Sequence, residues 1–357
     1  MQNHTIQPSA SGIGRHAWAV ALAVVMVFSG LARAQLEPVR TYCGINREIP
    51  VVVTLPEGQA GEPTIVLYTA QGERVAQASV LAGTVDLATF FPILWGQREP
   101  RLLYAQLYAG DPRQAASGQA DGQATAAPGQ APQAQAVGSP LVLQPMVTPK
   151  RAVLVGGRLQ WQEGQSVFSG LRVYVDKLLR LETTEGPMVF VLRPDEAPNT
   201  VWHIRQLVEG GFYTDIPFHR VVPTHPSGQP FVIQAGDPTG TGSGGPGVFI
   251  DLEPSELVHD FGVLSMARTQ DPDTNGSQFF IALSKEATVH LNGQYTAFGQ
   301  AVEGARAILA VEQTPLADVR MGRPANPPRI LSAAMVQAPP FGQGREPVRR
   351  PSPPAER

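Results

Sequence analysis

The sequence predicts a mainly β protein of two domains with two short helices, and three observations carry that prediction. Its 357 residues exceed the roughly 100–200 that one domain usually occupies. Its 36 glycines and 34 prolines favour turns and short extended segments over a helical bundle. Its apolar residues fall mostly in short runs bounded by Gly, Pro or polar residues, and only two stretches show a helical period. The formal net charge of −3 gives none of the cationic excess that nucleic acid or an anionic membrane surface selects.

At the start of the chain, Arg15 and His16 precede an uncharged run over residues 17–31, and Ala32-Arg33-Ala34 has the small-x-small form cut by signal peptidase. Residues 1–34 are therefore expected to be a secretory signal peptide, removed after Ala34. The run falls short of the roughly 20 apolar residues that a span needs. The expectation is an exported protein, periplasmic or secreted, with no stable membrane insertion after cleavage. Cys43 is the only cysteine, so no intrachain disulfide forms.

Residues 35–148 read as a small β-sandwich-like domain, immunoglobulin-like in outline, with strands expected at 49–55, 64–69, 74–80, 102–107 and 141–147. The fourth and fifth pair as a hairpin whose loop has been stretched. That loop, residues 110–138, is almost wholly Ala, Gln, Gly and Pro and cannot bury enough apolar surface to order itself. Residues 149–177 carry short apolar runs at 153–155 and 171–175 and are assigned to an ordered linker, with the addition of strands to either domain left open.

Residues 178–337 form the second domain. It opens with a hairpin turning at Glu185-Gly186-Pro187. Asn199 or Thr200 then caps a helix that places Val201, Ile204, Leu207 and Val208 on one face and stops at Gly210-Gly211. A second helix spans residues 304–312 with Ala305, Ile308 and Leu309 inward, and residues 330–336 are the last strand. From residue 338 to 357 Pro and Arg dominate, which predicts a disordered tail.

Four blocks inside this domain carry the functional signal: Phe218-His219-Arg220-Val221-Val222-Pro223, Phe231-Val232-Ile233-Gln234-Ala235-Gly236-Asp237-Pro238, Gly262-Val263-Leu264-Ser265-Met266-Ala267-Arg268, and Asn275-Gly276-Ser277-Gln278-Phe279-Phe280-Ile281. In this order they resemble the cyclophilins, the peptidyl-prolyl cis/trans isomerases. The resemblance implies a closed eight-stranded β-barrel with a helix covering each end. It also implies a catalytic role for Arg220, oriented by Gln234. Phe231, Val232, Phe280 and Leu291 would cup the substrate proline. Gln278, His290 and Tyr295 would complete the pocket, with the backbone of Ala267 and Arg268 holding the neighbouring peptide.

The chemistry fits those residue types. The barrier to rotation about a prolyl bond, about 18–20 kcal/mol, comes from amide resonance, so the reaction needs no nucleophile, metal or cofactor. As the amide twists, its nitrogen regains a lone pair, and a fixed charged donor aimed there stabilises the transition state over either ground state. The sequence departs from the family where Arg268 replaces asparagine, Val232 methionine, Ala235 glycine and Tyr295 histidine. His290 stands where some members carry tryptophan. Residues 224–230 are an insertion, expected as a surface loop beside the pocket.

The expected function is isomerisation of proline-containing peptides or unfolded proteins during folding of exported proteins. The alternative is a non-catalytic proline-peptide binding or scaffold module of the cell envelope. Other motifs carry less. Gly240-Thr241-Gly242-Ser243-Gly244-Gly245 has dinucleotide-fingerprint spacing, but Pro246-Gly247 follows where a helix is required. His219, His225, His259 and His290 lack the short spacing of zinc ligands. Ser265, Ser277 and Asp251 lack a nucleophile-elbow context.

Overall fold

The computed structural model describes residues 35–55, 62–97, 99–110, 135–162, 164 and 167–351. The expected signal peptide, most of the expected disordered insert and the last six residues lie outside the described residues. All described residues belong to one compact unit, and the fold is mainly β.

The first domain pairs two antiparallel sheets. Six strands run in the order Tyr42–Gly44, Phe168–Val175, Gln135–Val147, Leu103–Ala109, Pro63–Thr69 and Arg74–Ser79. Three more, Gln35–Pro38, Pro50–Thr54 and Gly83–Asp86, form the second sheet. Leu36, Val51 and Val53 from the small sheet share one buried core with Ile65, Leu67, Leu103 and Leu143 from the large one. The alternation of inward and outward residues along Pro50–Thr54 is the period-two pattern of a half-buried strand. Leu103–Ala109 does pair with Gln135–Val147, so the stretched hairpin is present on both sides of the insert.

The assignment of residues 149–177 to a linker does not hold. Ala152–Val155 and Arg158–Trp161 form a hairpin, and Phe168–Val175 lies inside the six-stranded sheet. The apolar run Leu171, Val173 and Tyr174 is long enough to be a core strand, and its burial makes it one. Only Asp176 separates that strand from Lys177–Thr183, the first strand of the second domain.

The second domain is built on an antiparallel sheet of nine segments, with a separate two-stranded ladder of Leu316–Asp318 and Arg323–Pro324 beside it. The order of the nine is Ile216–Pro217, Arg329–Gln337, Lys177–Thr183, Gly186–Leu192, Ala297–Glu303, Val263–Met266, Phe279–Ala282, Val232–Ala235 and Arg220–Val222. The two edge segments are joined by only Phe218 and His219, so the sheet must curl back on itself. Its hydrogen bonding is that of a half-barrel, because no ladder joins the two edges among the described residues. Phe190, Phe218, Phe298 and Tyr213 fill the interior.

Both expected helices are present. Pro198–Glu209 buries Val201, Ile204 and Val208, and Gly211 at φ 76° follows its end. Ala305–Glu312 starts from Gly304 at φ 94° and buries Ala307, Ile308 and Val311, with Ala305 and Leu309 only partly covered. The helix is turned slightly from the expected face.

The expected disordered tail is a second correction for residues 338–351. The Ser139 hydroxyl donates to the Ala338 carbonyl at 2.6 Å, and the Phe341 N–H donates to Gln106 Oε1 at 2.7 Å. The Phe341 ring lies 5.0 Å from Tyr68 and 4.9 Å from Tyr104, centroid to centroid. Farther on, the Val348 N–H donates to the Ala301 carbonyl at 2.8 Å, and Arg350 makes a bidentate pair with Glu312 at 2.7 and 2.8 Å. Composition argued for disorder because this segment has no core of its own. It borrows one from both domains instead.

Candidate functional site

The site grows from strand pairing. Arg220 sits opposite Gln234, and Gln234 opposite Phe280, across three adjacent strands. Because side chains alternate along a strand, this register brings the three to one face of the sheet. Gly236, which ends the middle strand at φ 97°, is required there: a Cβ would lie 2.2 Å from the Ser277 carbonyl oxygen. That close backbone approach draws the Gln278 segment in beside Gln234.

A hydrogen-bonded relay then fixes the arginine. Arg220 Nη1 donates to Gln234 Oε1 at 3.3 Å, and Gln234 Nε2 donates to Gln278 Oε1 at 3.0 Å. Gln278 Nε2 in turn donates to the carbonyls of Gly242 and Gly244 at 3.0 and 2.9 Å. The glycine loop is held from below by Asp237. Its carboxylate accepts from the N–H groups of Thr239, Gly242 and Gly244 and from the Thr239 hydroxyl, at 2.6–3.0 Å. Burial would raise the Asp237 pKa, but these donors outweigh it and hold the carboxyl well below its usual range. The loop with dinucleotide-like spacing is thus the far anchor of the arginine.

Beside the relay lies an apolar pocket. Val232, Phe280 and Leu291 are buried, with Phe231, Ala267 and Tyr295 packed against them. The Phe280 ring meets Tyr295 edge-on at 5.8 Å and stacks on His259 at 5.8 Å. His259 is a buried support whose ring nitrogens reach Asn292 Oδ1 and Ser265 Oγ, both at 2.9 Å. Burial lowers its pKa, favouring the neutral ring. Arg220 is half-buried; burial pushes its pKa down, with Tyr295 acting against that shift, and an arginine stays protonated regardless.

All the residues singled out in the sequence come together here, in different ways. Arg220, Gln234 and Gln278 form the relay, while Phe231, Val232, Phe280, Leu291, Ala267 and Tyr295 form the pocket. The Ala267 N–H donates to the Gln278 carbonyl at 2.9 Å, which ties the two groups to each other. Arg268 folds over the Tyr295 ring, 4.6 Å from its centroid, and donates to the carbonyls of Thr269, Gln270 and Gln294. His290 is exposed at the rim and stacks on Phe231. Sequence reasoning missed the two glycine carbonyls that terminate the relay, since backbone acceptors leave no mark in side-chain identity.

An assembly of one fixed cationic donor beside a greasy hollow can stabilise a developing lone pair. Among the described residues, no group of three or more His, Cys, Asp or Glu side chains is arranged to hold a metal ion.

Comparison with known proteins finds similarity confined to the second domain. The family described as cyclophilin type peptidyl-prolyl cis-trans isomerase/CLD matches residues 178–335. Peptidyl-prolyl cis-trans isomerase B of Bacillus subtilis is 45% identical over 117 residues, covering 32% of this chain and 76% of the relative. Peptidyl-prolyl cis-trans isomerase CYP65 of Arabidopsis thaliana is 39% identical over 162 residues, but the matched part is 44% of this chain and 25% of that protein. A solved cyclophilin type isomerase of Cryptosporidium parvum, crystallised in the presence of the dipeptide Ala-Pro, is 33% identical and covers 44% of this chain and 98% of its own, with a TM-score of 0.40.

Proposed function

Since this chain belongs, through residues 178–335, to the cyclophilin-type peptidyl-prolyl cis-trans isomerases, we propose that it speeds prolyl isomerisation in proline-containing peptides and unfolded proteins by donation from Arg220. The observation that carries the mechanism is the relay from Arg220 through Gln234 and Gln278 to the carbonyls of Gly242 and Gly244. Every link is neutral, so the guanidinium is oriented without being neutralised. Its remaining donors are available to a prolyl nitrogen whose ring occupies the hollow formed by Val232, Phe280 and Leu291.

The reaction proceeds by differential binding. In the planar amide the nitrogen lone pair is delocalised and accepts poorly. In the twisted amide it is localised and accepts from Arg220, so the interaction strengthens only on the way to the barrier. The pocket restrains the ring while the rest of the chain turns.

On this reading, residues 216–222 count as one interrupted strand and the sheet closes into an eight-stranded barrel. The charged, short-apolar and small-residue pattern of residues 1–34 supports export. The clients would then be exported proteins, for which uncatalysed isomerisation over tens to hundreds of seconds limits folding.

The test is prolyl exchange measured by NMR on a short proline peptide, for wild type and Arg220→Ala. The expected result is a loss of about a hundred- to a thousandfold in kcat/KM, the usual effect of removing one preorganised donor. Turnover within a factor of two of wild type would overturn the assignment. Equal peptide affinity with no rate enhancement in the wild type would favour a binding module.

A further inference from the structure

The insertion at residues 224–230 supplies a ring to the pocket rim. His225 lies 5.0 Å from Phe231 and 5.7 Å from His290, and Phe231 lies 5.7 Å from His290, with interplanar angles of 33°, 21° and 12°. Three nearly parallel rings at such mutual distances form one cluster. It is continuous with the proline hollow, because Phe231 packs on the buried Val232, Phe280 and Leu291. It is also accessible: His290 is exposed, and His225 and Phe231 are half-buried.

The loop that presents His225 is fixed. The His225 N–H donates to the Gln229 carbonyl and the Gly228 N–H to the His225 carbonyl, both at 2.8 Å. His225 Nδ1 lies 3.3 Å from the Ser227 N–H and 3.1 Å from the Ser227 hydroxyl, which holds the ring against its own turn. Gly228 at φ 79° completes the turn in a conformation that side chains rarely adopt. A ring held in this way loses little entropy on contact with substrate.

We propose that His225, with Phe231 and His290, forms an aromatic subsite that selects substrates carrying an aromatic residue next to the isomerising proline. The inference rests on the isomerase reading above. A flat, partly exposed ring surface beside an apolar hollow gains most from a partner that is also flat and apolar. The insertion therefore sets specificity, and His225 acts by binding the residue beside the proline, with no part in the twist itself.

The experiment measures kcat and KM by NMR exchange on three peptides. One has Phe before the proline, one has Phe after it, and one has Ala at both positions. In the wild type, one of the Phe peptides is expected to exceed the Ala peptide in kcat/KM by about three- to tenfold, the range for one aromatic contact. His225→Ala is expected to bring that ratio close to one through KM, and His225→Phe to restore it. A wild-type enzyme that turns over all three peptides equally would overturn the subsite while leaving the isomerase intact. So would an unchanged ratio in His225→Ala, or loss through kcat alone. No turnover of any peptide by wild type would instead sink the isomerase reading. Failure of His225→Phe to restore the ratio, with an unchanged thermal midpoint, would also overturn the subsite.

Discussion

Arg220 is steered by an amide where many arginines are steered by a carboxylate. A carboxylate partner would fix the fork more strongly but would cancel the field that the twisted substrate nitrogen needs. Gln234 accepts from Arg220 and donates onward to Gln278, so orientation is transmitted with no counter-charge. Gln234→Leu keeps the size and removes both bonds. The expected outcome is a roughly tenfold fall in kcat with little change in KM, equivalent to about one net hydrogen bond of positioning. Steady-state kinetics beside Arg220→Ala checks it. At this scale much of the site was legible through the resemblance, and Arg220, Gln234 and Phe280 lie opposite one another on neighbouring strands, so their side chains face one way. Arg268 was not legible. Its guanidinium is bound to the carbonyls of Thr269, Gln270 and the distant Gln294 and to the Tyr295 face, a choice set by geometry that no local pattern encodes.

Helix Pro198–Glu209 shows the same limit at the scale of an element. Its apolar face was readable from the spacing of Val201, Ile204 and Val208, but its cap was not. Asn199 or Thr200 was expected to cap, and instead both lie in the first turn and donate to Glu253, which is 54 and 53 residues away in sequence. Four donors converge on that carboxylate at 2.6–3.1 Å, at the helix end where negative charge is favoured. Glu253→Ala should lower unfolding free energy by about 1.5–3 kcal/mol, as expected for losing hydrogen bonds to a charged group. Denaturant titration would measure it, and a loss under 0.5 kcal/mol, typical of ordinary surface changes at about that size, would contradict the account. The strand Phe168–Val175 was missed for a related reason. A short apolar run next to irregular sequence reveals its sheet only through partners far along the chain, here Tyr42–Gly44 and Gln135–Val147.

Across the whole molecule, the two domains meet through aromatic, cation–π and hydrogen-bonded contacts as well as through the chain. Trp202 packs at a tilt against Tyr174 at 5.3 Å, Arg172 lies 4.8 Å over Trp202, and Arg205 Nη1 donates to the Val175 carbonyl at 2.7 Å. Between the domains and under residues 338–345 is a cleft of about 620 Å³, with Asp176, Arg193, Tyr104 and Phe341 among its walls. Burial pushes the Asp176 carboxyl up to about 7, opposed by the Lys177 N–H and by Arg205 and reinforced by Asp195. Its folded pKa lies above the ordinary carboxylate value of about 3.9, so the native state binds more protons than the unfolded state between those limits. Stability from this group is therefore greatest at low pH and declines as pH rises to about 7. Asp176→Asn should raise the thermal midpoint relative to wild type, with a difference near zero at about pH 4 that grows to a plateau above pH 7. Calorimetry across that window checks it, and a flat difference would refute the assignment.

The route of residues 338–351 also bears on how the molecule is made. Phe341 seats against Tyr68 and Tyr104 of the first domain, and Arg350 closes on Glu312 of the second. Residues 338–351 follow both domains in the chain, so the seam they cover closes only after both sets of strands have been made. A partner inserted between residues 337 and 341 would open that seam wherever it drew Phe341 away from Tyr68 and Tyr104.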